Sequence, residues 1–213
     1  MHNSKEKGMI DLIKRAQQAD QDNFIYVVPN ILVKKVKSYM LIREDLVFLI
    51  GVVEVLLQNK VEKKDNQIID LALWHSVIIT YGKCFTENQA GMSKLEKSIF
   101  DNQHKEYLEV HENLMDLRHS YVAHRDDTYR EQALVFMKIP KNKEITDTVE
   151  YQISSRKLIS PNYEDLLVYH KLFLLLMKEV EAKIQKQTQK SHSAFLDAIP
   201  PEHVNILLIN NIK

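Results

Sequence analysis

One apolar seam constrains the fold of this chain more than any other feature. Between residues 107 and 124, apolar and aromatic side chains recur at intervals of 3, 4, 3, 4 and 3, the spacing of helices that pack in a bundle. The seam consists of Tyr107, Val110, Leu114, Leu117, Tyr121 and His124. A second apolar seam runs from Leu166 to Ile184. Both seams are too apolar to be solvated, so the sequence predicts helices packed on one another or on a partner.

Helical periodicity predicts most of the other elements as well. Helices are expected over about 4–19, from 31 or 39 to 58, and over 65–85 and 94–124, and the last of these carries the first seam. A final helix is expected to open at Ser160 and Pro161, as N-cap and first helical residue, and to run to about residue 187. The sequence therefore predicts a mainly all-α fold, a helical bundle of about five helices.

Two β-type segments interrupt the helical pattern before the final helix. Ala133–Ile139 and Thr148–Ser154 predict a two-stranded β-hairpin inserted near 133–155. We expect one bundle domain over residues 1–187, which includes the hairpin, and a C-terminal tail over 188–213. The apolar end of that tail, Val204–Ile209, is expected to pack on something, such as a second subunit.

Composition excludes several classes of protein. The four glycines stand far apart, which excludes a phosphate-binding glycine loop, and the single cysteine excludes an internal disulfide and a cysteine-based zinc site. The N-terminus lacks a signal-peptide pattern, and the most apolar run, Leu46–Leu57, is too short to span a membrane and contains Glu54. We therefore expect a cytoplasmic protein with no membrane partner. The balance of 29 basic and 29 acidic residues excludes a generally basic nucleic-acid binder.

The end of the predicted long helix is the most informative segment for function. At about 100° per residue, one flank of the seam is mostly acidic, and the other carries residues that can be cationic. The acidic flank holds Lys105, Glu109, Glu112 and Asp116. The other flank holds His104, His111, Arg118 and Arg125, at intervals of seven. His124 lies on the seam next to this second line, within reach of a cleft shared with Arg118.

An arginine beside a histidine suits phosphodiester chemistry. The guanidinium of Arg118 offers a planar, permanent charge to phosphate oxygens. His124 can take and return a proton near neutral pH. Together they could cleave RNA without a metal, with His124 deprotonating the ribose 2′-hydroxyl or protonating the leaving oxygen.

A structural interpretation of the same residues stays open. A histidine on a bundle seam is more often a hydrogen-bonded core residue, and the His/Arg line could pair with acids on a neighbouring helix. No HExxH motif is present, and we expect neither a metal site nor a cofactor.

The run from Arg118-His119 to His124 resembles the signature of the HEPN superfamily. That signature is an arginine, then a polar residue, then a few residues to a histidine, on a helix of a small bundle. The resemblance covers about Leu108–Arg125 and extends more loosely to Leu71–Phe85. The leading HxxLxxLR and trailing AHR look like HEPN-like proteins of prokaryotic defence and toxin–antitoxin systems.

The resemblance implies an all-α bundle that forms a homodimer and brings two copies of the motif into one cleft. It implies a metal-independent endoribonuclease in which Arg118 and His124 are catalytic. His119, Tyr121, His111 and Arg125 would support the site. RNA and an antitoxin or other protein would be the partners. Because some members of the superfamily only bind partners or nucleotides, the alternative is a non-catalytic interaction or nucleotide-binding regulatory module.

Overall fold

The structure is a computed structural model that describes residues 2–20, 28, 30–63, 66–87, 91–101, 104–122, 132–138, 150–156 and 158–198. Within these residues it contains five α-helices and one two-stranded antiparallel sheet, which confirms the predicted mainly helical fold with a hairpin insertion. The helices are α1 (His2–Ala19), α2 (Asn30–Val61), α3 (Gln67–Phe85), α4 (Leu108–Asp116) and α5 (Tyr163–Ala198). The strands are β1 (Gln132–Lys138) and β2 (Glu150–Arg156).

The chain divides into two compact units. The first unit combines Met1–Lys37 with Ala182–Lys213, and the second is Ser38–Glu181. Within the first unit, the hydroxyl of Ser191 donates a hydrogen bond of 2.7 Å to the carbonyl of Leu32 and so links two distant parts of the sequence. The boundary that we predicted between 187 and 188 lies inside α5, which continues to Ala198.

The core of the second unit is built from α2, α3, α4 and α5. Its largest fully buried side chains are Trp74, Tyr81, Phe100, Phe173, Leu46, Leu49, Leu56, Ile78, Leu95, Leu114, Leu166 and Leu172. Trp74, Ile78 and Tyr81 recur at intervals of four and three along α3, and all three are buried on one face of the helix. Ion pairs at the flanks of the core join α2 to its neighbours, with Lys83 bound to Asp45 and His170 to Glu54.

Helix α3 is, among the described helices, the one long and apolar enough to cross a membrane. A broad face of this helix, from Asp70 to Phe85, packs inside the second unit. Asp70 is only 3% exposed. It accepts hydrogen bonds from the side chains of Asn59, at 2.9 Å, and Lys60, at 3.1 Å, which offset the cost of burying its charge.

The predicted long helix over 94–124 is shorter in the structure. Residues 97–100 form a 3-10 turn, a second 3-10 turn covers 105–107, and α4 begins only at Leu108. Helix α5 also begins later than predicted. Asn162 caps it by accepting the backbone N–H of Asp165 at 2.8 Å, so Ser160 and Pro161 precede the helix.

The hairpin strands agree with the prediction within two residues at each end. Val135 pairs with Ile153, and Met137 pairs with Tyr151. Directly paired residues lie on the same face of an antiparallel sheet, so these four side chains form one apolar face. They are 53% to 70% exposed.

Candidate functional site

The segment that carries the predicted site follows α4 as a π-helical turn, Leu117–Val122. A π-helical turn bonds residue i to i+5, is wider than an α-helix, and occurs often at functional sites. Because the turn is wider, angular positions drawn at 100° per residue hold only as far as Asp116. The relation between Arg118 and the residues after it therefore differs from the α-helical projection.

Arg118 lies against α3 at Gly82. The Cγ, Cδ and Nε atoms of Arg118 occupy the space that a Cβ atom on Gly82 would need. Arg118 is half-buried, and among the described residues its guanidinium makes no hydrogen bond or ion pair. The structure thus holds the arginine by its stem and leaves its charge unneutralised by any described acid.

Gly82 is a residue that the sequence interpretation missed. Glycine inside a helix costs about 0.5–1 kcal/mol relative to alanine. A glycine within the otherwise strongly apolar α3 was therefore the available signal that another group approaches the helix closely at this position.

His111 lies in an aromatic cluster in the core rather than on the surface. It is 5% exposed, and its ring centroid lies 4.5 Å from that of Phe85 and 4.8 Å from that of Phe100. Its Nδ1 atom is 2.7 Å from the hydroxyl oxygen of Tyr81, a hydrogen-bonding distance. His111 is thus a hydrogen-bonded core histidine, the structural interpretation that the sequence left open.

The surroundings of His111 keep its ring neutral. Burial, with a smaller contribution from the charge of Lys97, lowers the pKa of His111 to about 4, although Glu112 acts in the opposite direction. Burial also raises the pKa of Tyr81 well above 10.0, so the phenol keeps its proton. Near neutral pH, the pair is a hydrogen bond between two uncharged groups.

The expectation of one cationic line at intervals of seven is therefore corrected. His104 precedes the helix, because it lies at the start of the 3-10 turn over 105–107. His111 points into the core and is uncharged. Arg118 is the remaining described member of the line.

The other predicted site residues have varied placements. His119 is exposed on the π-helical turn. The backbone of Tyr121 belongs to the same turn, but its side chain lies outside the described part of the structure. His124 and Arg125 lie outside the described residues. The structure therefore brings Arg118 and His119 to one turn, and the position of His124 relative to them stays a prediction.

The predicted acidic flank lines a cleft of about 650 Å³. Glu109, Glu112 and Asp116 of α4 face Asp165 of α5 across it. Glu112 is neutralised in part by Lys97, whose ammonium donates a hydrogen bond of 2.6 Å to the Glu112 carboxylate. A cleft of this charge repels a phosphate backbone, so Arg118 is the better candidate for contact with an anion.

Neither a thiolate nor a metal offers an alternative site within the described residues. Burial raises the pKa of the Cys84 thiol to about 12, with a further contribution from Asp45, and this keeps the thiol protonated and unreactive. In the same part of the chain, no three His, Cys, Asp or Glu side chains come together as a metal site would require.

Comparisons with models of protein families, with curated proteins and with solved structures found no match.

Proposed function

We propose that this chain is a HEPN-like, metal-independent endoribonuclease of a defence or toxin–antitoxin type system, acting in the cytoplasm. One observation carries the proposal most directly. The stem of Arg118 lies close against Gly82 of α3, and its guanidinium has no acidic partner among the described residues. The resemblance of Arg118-His119 and His124 to the HEPN signature supplies the proposed chemistry.

An arginine with a purely structural role is expected to pair with a carboxylate, because an isolated, partly buried charge is costly. Arg118 lacks such a partner in the described structure although α4 carries several acids nearby in the sequence. A guanidinium that no described acid neutralises suits recognition of a phosphate, which it can bind through two parallel hydrogen bonds.

The proposed reaction is an internal displacement at phosphorus. The ribose 2′-oxygen attacks the adjacent phosphate, and the bond from phosphorus to the 5′-oxygen of the next nucleotide breaks. The products are a 2′,3′-cyclic phosphate and a free 5′-hydroxyl. Arg118 stabilises the charge on the phosphate oxygens, and His124 removes the 2′-proton or protonates the leaving oxygen.

The direct test is incubation of the purified chain with labelled RNA in the presence of EDTA. We expect cleavage to persist and the fragments to end in 2′,3′-cyclic phosphate and 5′-hydroxyl groups, identified by mass spectrometry. DNA of the same sequence should resist, because it lacks the 2′-hydroxyl. Absence of RNA cleavage under all conditions, or cleavage that EDTA abolishes, would contradict the proposal.

The proposed partner is a second copy of the chain, bound through the outer face of α2. Five large apolar side chains on this helix are each 44% to 48% exposed within the described structure. They are Met40, Leu41, Val47, Phe48 and Val55. In projection at about 100° per residue, Met40 and Val47 lie opposite the buried residues of α2. Leu41, Phe48 and Val55 lie along the adjoining flank, and Glu44 falls among the five. An exposed apolar stripe of this length is typical of an interaction surface.

Replacing Phe48 by glutamate is expected to dissociate the dimer. Burying an unpaired carboxylate in an apolar interface costs several kcal/mol, so the variant should be monomeric at micromolar concentration in analytical ultracentrifugation. Ile68→Glu is the matched control, because Ile68 is 84% exposed at the start of α3 and lies off the α2 face. A monomeric parent protein, or a Phe48→Glu variant that stays dimeric, would refute this assignment.

The second candidate function is a non-catalytic interaction module. The exposed apolar face of the hairpin favours it, because an isolated two-stranded sheet is marginally stable in water and gains from being covered. A chain that dimerises through α2 but cleaves no RNA would support this candidate over the nuclease.

A further inference from the structure

We propose that Gly82 is a positioning residue for Arg118, so that α3 forms part of the active site without contacting RNA. The expected effect of Gly82 on RNA cleavage rests on the proposed nuclease function. The expected effect of Gly82 on the position of Arg118 does not depend on that function. The observation is the close approach of the Arg118 stem to the bare Cα of Gly82.

The bare Cα of Gly82 gives the stem of Arg118 the room that it occupies beside α3. The stem lies where a Cβ atom would be, so any residue other than glycine at position 82 displaces it. Nothing else among the described residues holds the guanidinium, since it has no hydrogen bond or ion pair there. The cheapest response to an added methyl group is therefore for the flexible arginine to swing away, while the backbone of α3 stays in place.

Two other glycines show that this close approach is specific to Gly82. Gly8 of α1 and Gly51 of α2 are also helical, and a Cβ on either would meet no atom within 4 Å. Alanine at those positions fills open space and gains helix propensity. Alanine at position 82 gains the same helix propensity, but its methyl group takes the space that the Arg118 stem occupies. The substitution should therefore leave the fold intact and affect the arginine.

The structural test is the NMR signal of the Arg118 Nε–H group, assigned by its loss in Arg118→Ala. In the parent protein we expect a resolved signal, shifted from those of solvated arginines. In Gly82→Ala it should move to the position of a freely solvated side chain, whereas Gly8→Ala should leave it unchanged. An Arg118 signal that is the same in Gly82→Ala as in the parent protein would overturn the proposal.

The stability of the double variant gives a second structural test. When Arg118 is already alanine, the methyl group of Gly82→Ala enters vacated space, and the unfolding equilibrium constant should fall about fourfold through helix propensity. With Arg118 present, that gain should be cancelled or reversed by the displaced stem. Equal effects in the two backgrounds would show that positions 82 and 118 do not interact.

The biochemical test compares RNA cleavage by the same variants. Gly82→Ala should lose most of the activity that Arg118→Ala loses. The double variant should be no slower than Arg118→Ala, because both changes remove the same contribution, the binding of phosphate by Arg118. Gly8→Ala should cleave at the parent rate. If the parent protein does not cleave RNA, the proposed function fails, and the NMR and stability tests still decide whether Gly82 positions Arg118.

Discussion

Replacing Arg118 by alanine is expected to slow RNA cleavage by about 10²- to 10³-fold, the usual cost of removing one group that stabilises charge in a transition state. Replacing His124 by alanine should cost about 10²- to 10⁴-fold, the range for loss of a general acid or base. The double variant should be only slightly slower than the slower single variant, because residues that act as a unit give non-additive losses. Single-turnover cleavage of labelled RNA measures all three rates.

Two other substitutions test whether the loss of any arginine or any histidine slows RNA cleavage. Arg43 pairs with Glu44 and Glu181 on the surface, and His170 bonds to Glu54. Arg43→Ala and His170→Ala should therefore leave the rate within a few fold of the parent. Thermal denaturation of each variant separates lost activity from lost fold. Parent-like rates in both Arg118→Ala and His124→Ala would eliminate the proposed mechanism.

The fold was largely predictable because burial imposes a period on the sequence. Trp74, Ile78 and Tyr81 lie on the buried face of α3, and this helix lies close to its predicted position. The hairpin strands also lie close to their predicted positions, although their described side chains are exposed. Helix starts were less predictable. Ser160 followed by Pro161 is typical of a helix start, but asparagine is also a common N-cap residue. In the structure the side chain of Asn162 accepts the capping hydrogen bond.

The buried face of α4 shows why local periodicity was insufficient there. Leu114 and Leu117 are buried as the seam predicted, whereas Val110 is only half-buried and His111 takes the core position beside it. A polar ring is accepted at that position because Tyr81, from a helix thirty residues earlier, supplies its hydrogen bond. Such a long-range partner leaves no trace in the local spacing.

The catalytic and supporting roles assigned to the candidate site residues stay predictions, and the described structure adds a contact of Arg118 that the sequence did not indicate. The chemistry of its segment is enough to single out Arg118 as a candidate. Its close approach to Gly82 depends on the packing of two elements that are distant in sequence. The π-helical turn over Leu117–Val122 is likewise a local change of helix type, which a projection at a constant angle cannot represent.

The free energy of unfolding is expected to fall as the pH is lowered from about 6.5 to about 4, and His111 is the cause. In the unfolded chain this histidine binds its proton near pH 6.5, whereas in the folded protein its pKa is about 4. Between these values the unfolded state holds more protons, so acid favours unfolding. At about 1.4 kcal/mol per pKa unit, the loss attributable to His111 reaches about 3 kcal/mol at pH 4. Well above pH 6.5 His111 is unprotonated in both states and contributes no pH dependence to the free energy of unfolding.

The double variant Tyr81→Phe with His111→Phe isolates this effect. Removing both partners of a buried hydrogen bond leaves neither group unsatisfied, and the second phenylalanine keeps an aromatic ring between Phe85 and Phe100. Urea denaturation from pH 7.5 to 4 should show a shallower decline for the variant, by about 3 kcal/mol in total. Glu112 and Lys97, whose charges act on His111, remain in both proteins, so their titration contributes to both curves. Parallel curves would mean that His111 titrates alike in the folded and unfolded states, which would contradict its enclosure among Tyr81, Phe85 and Phe100.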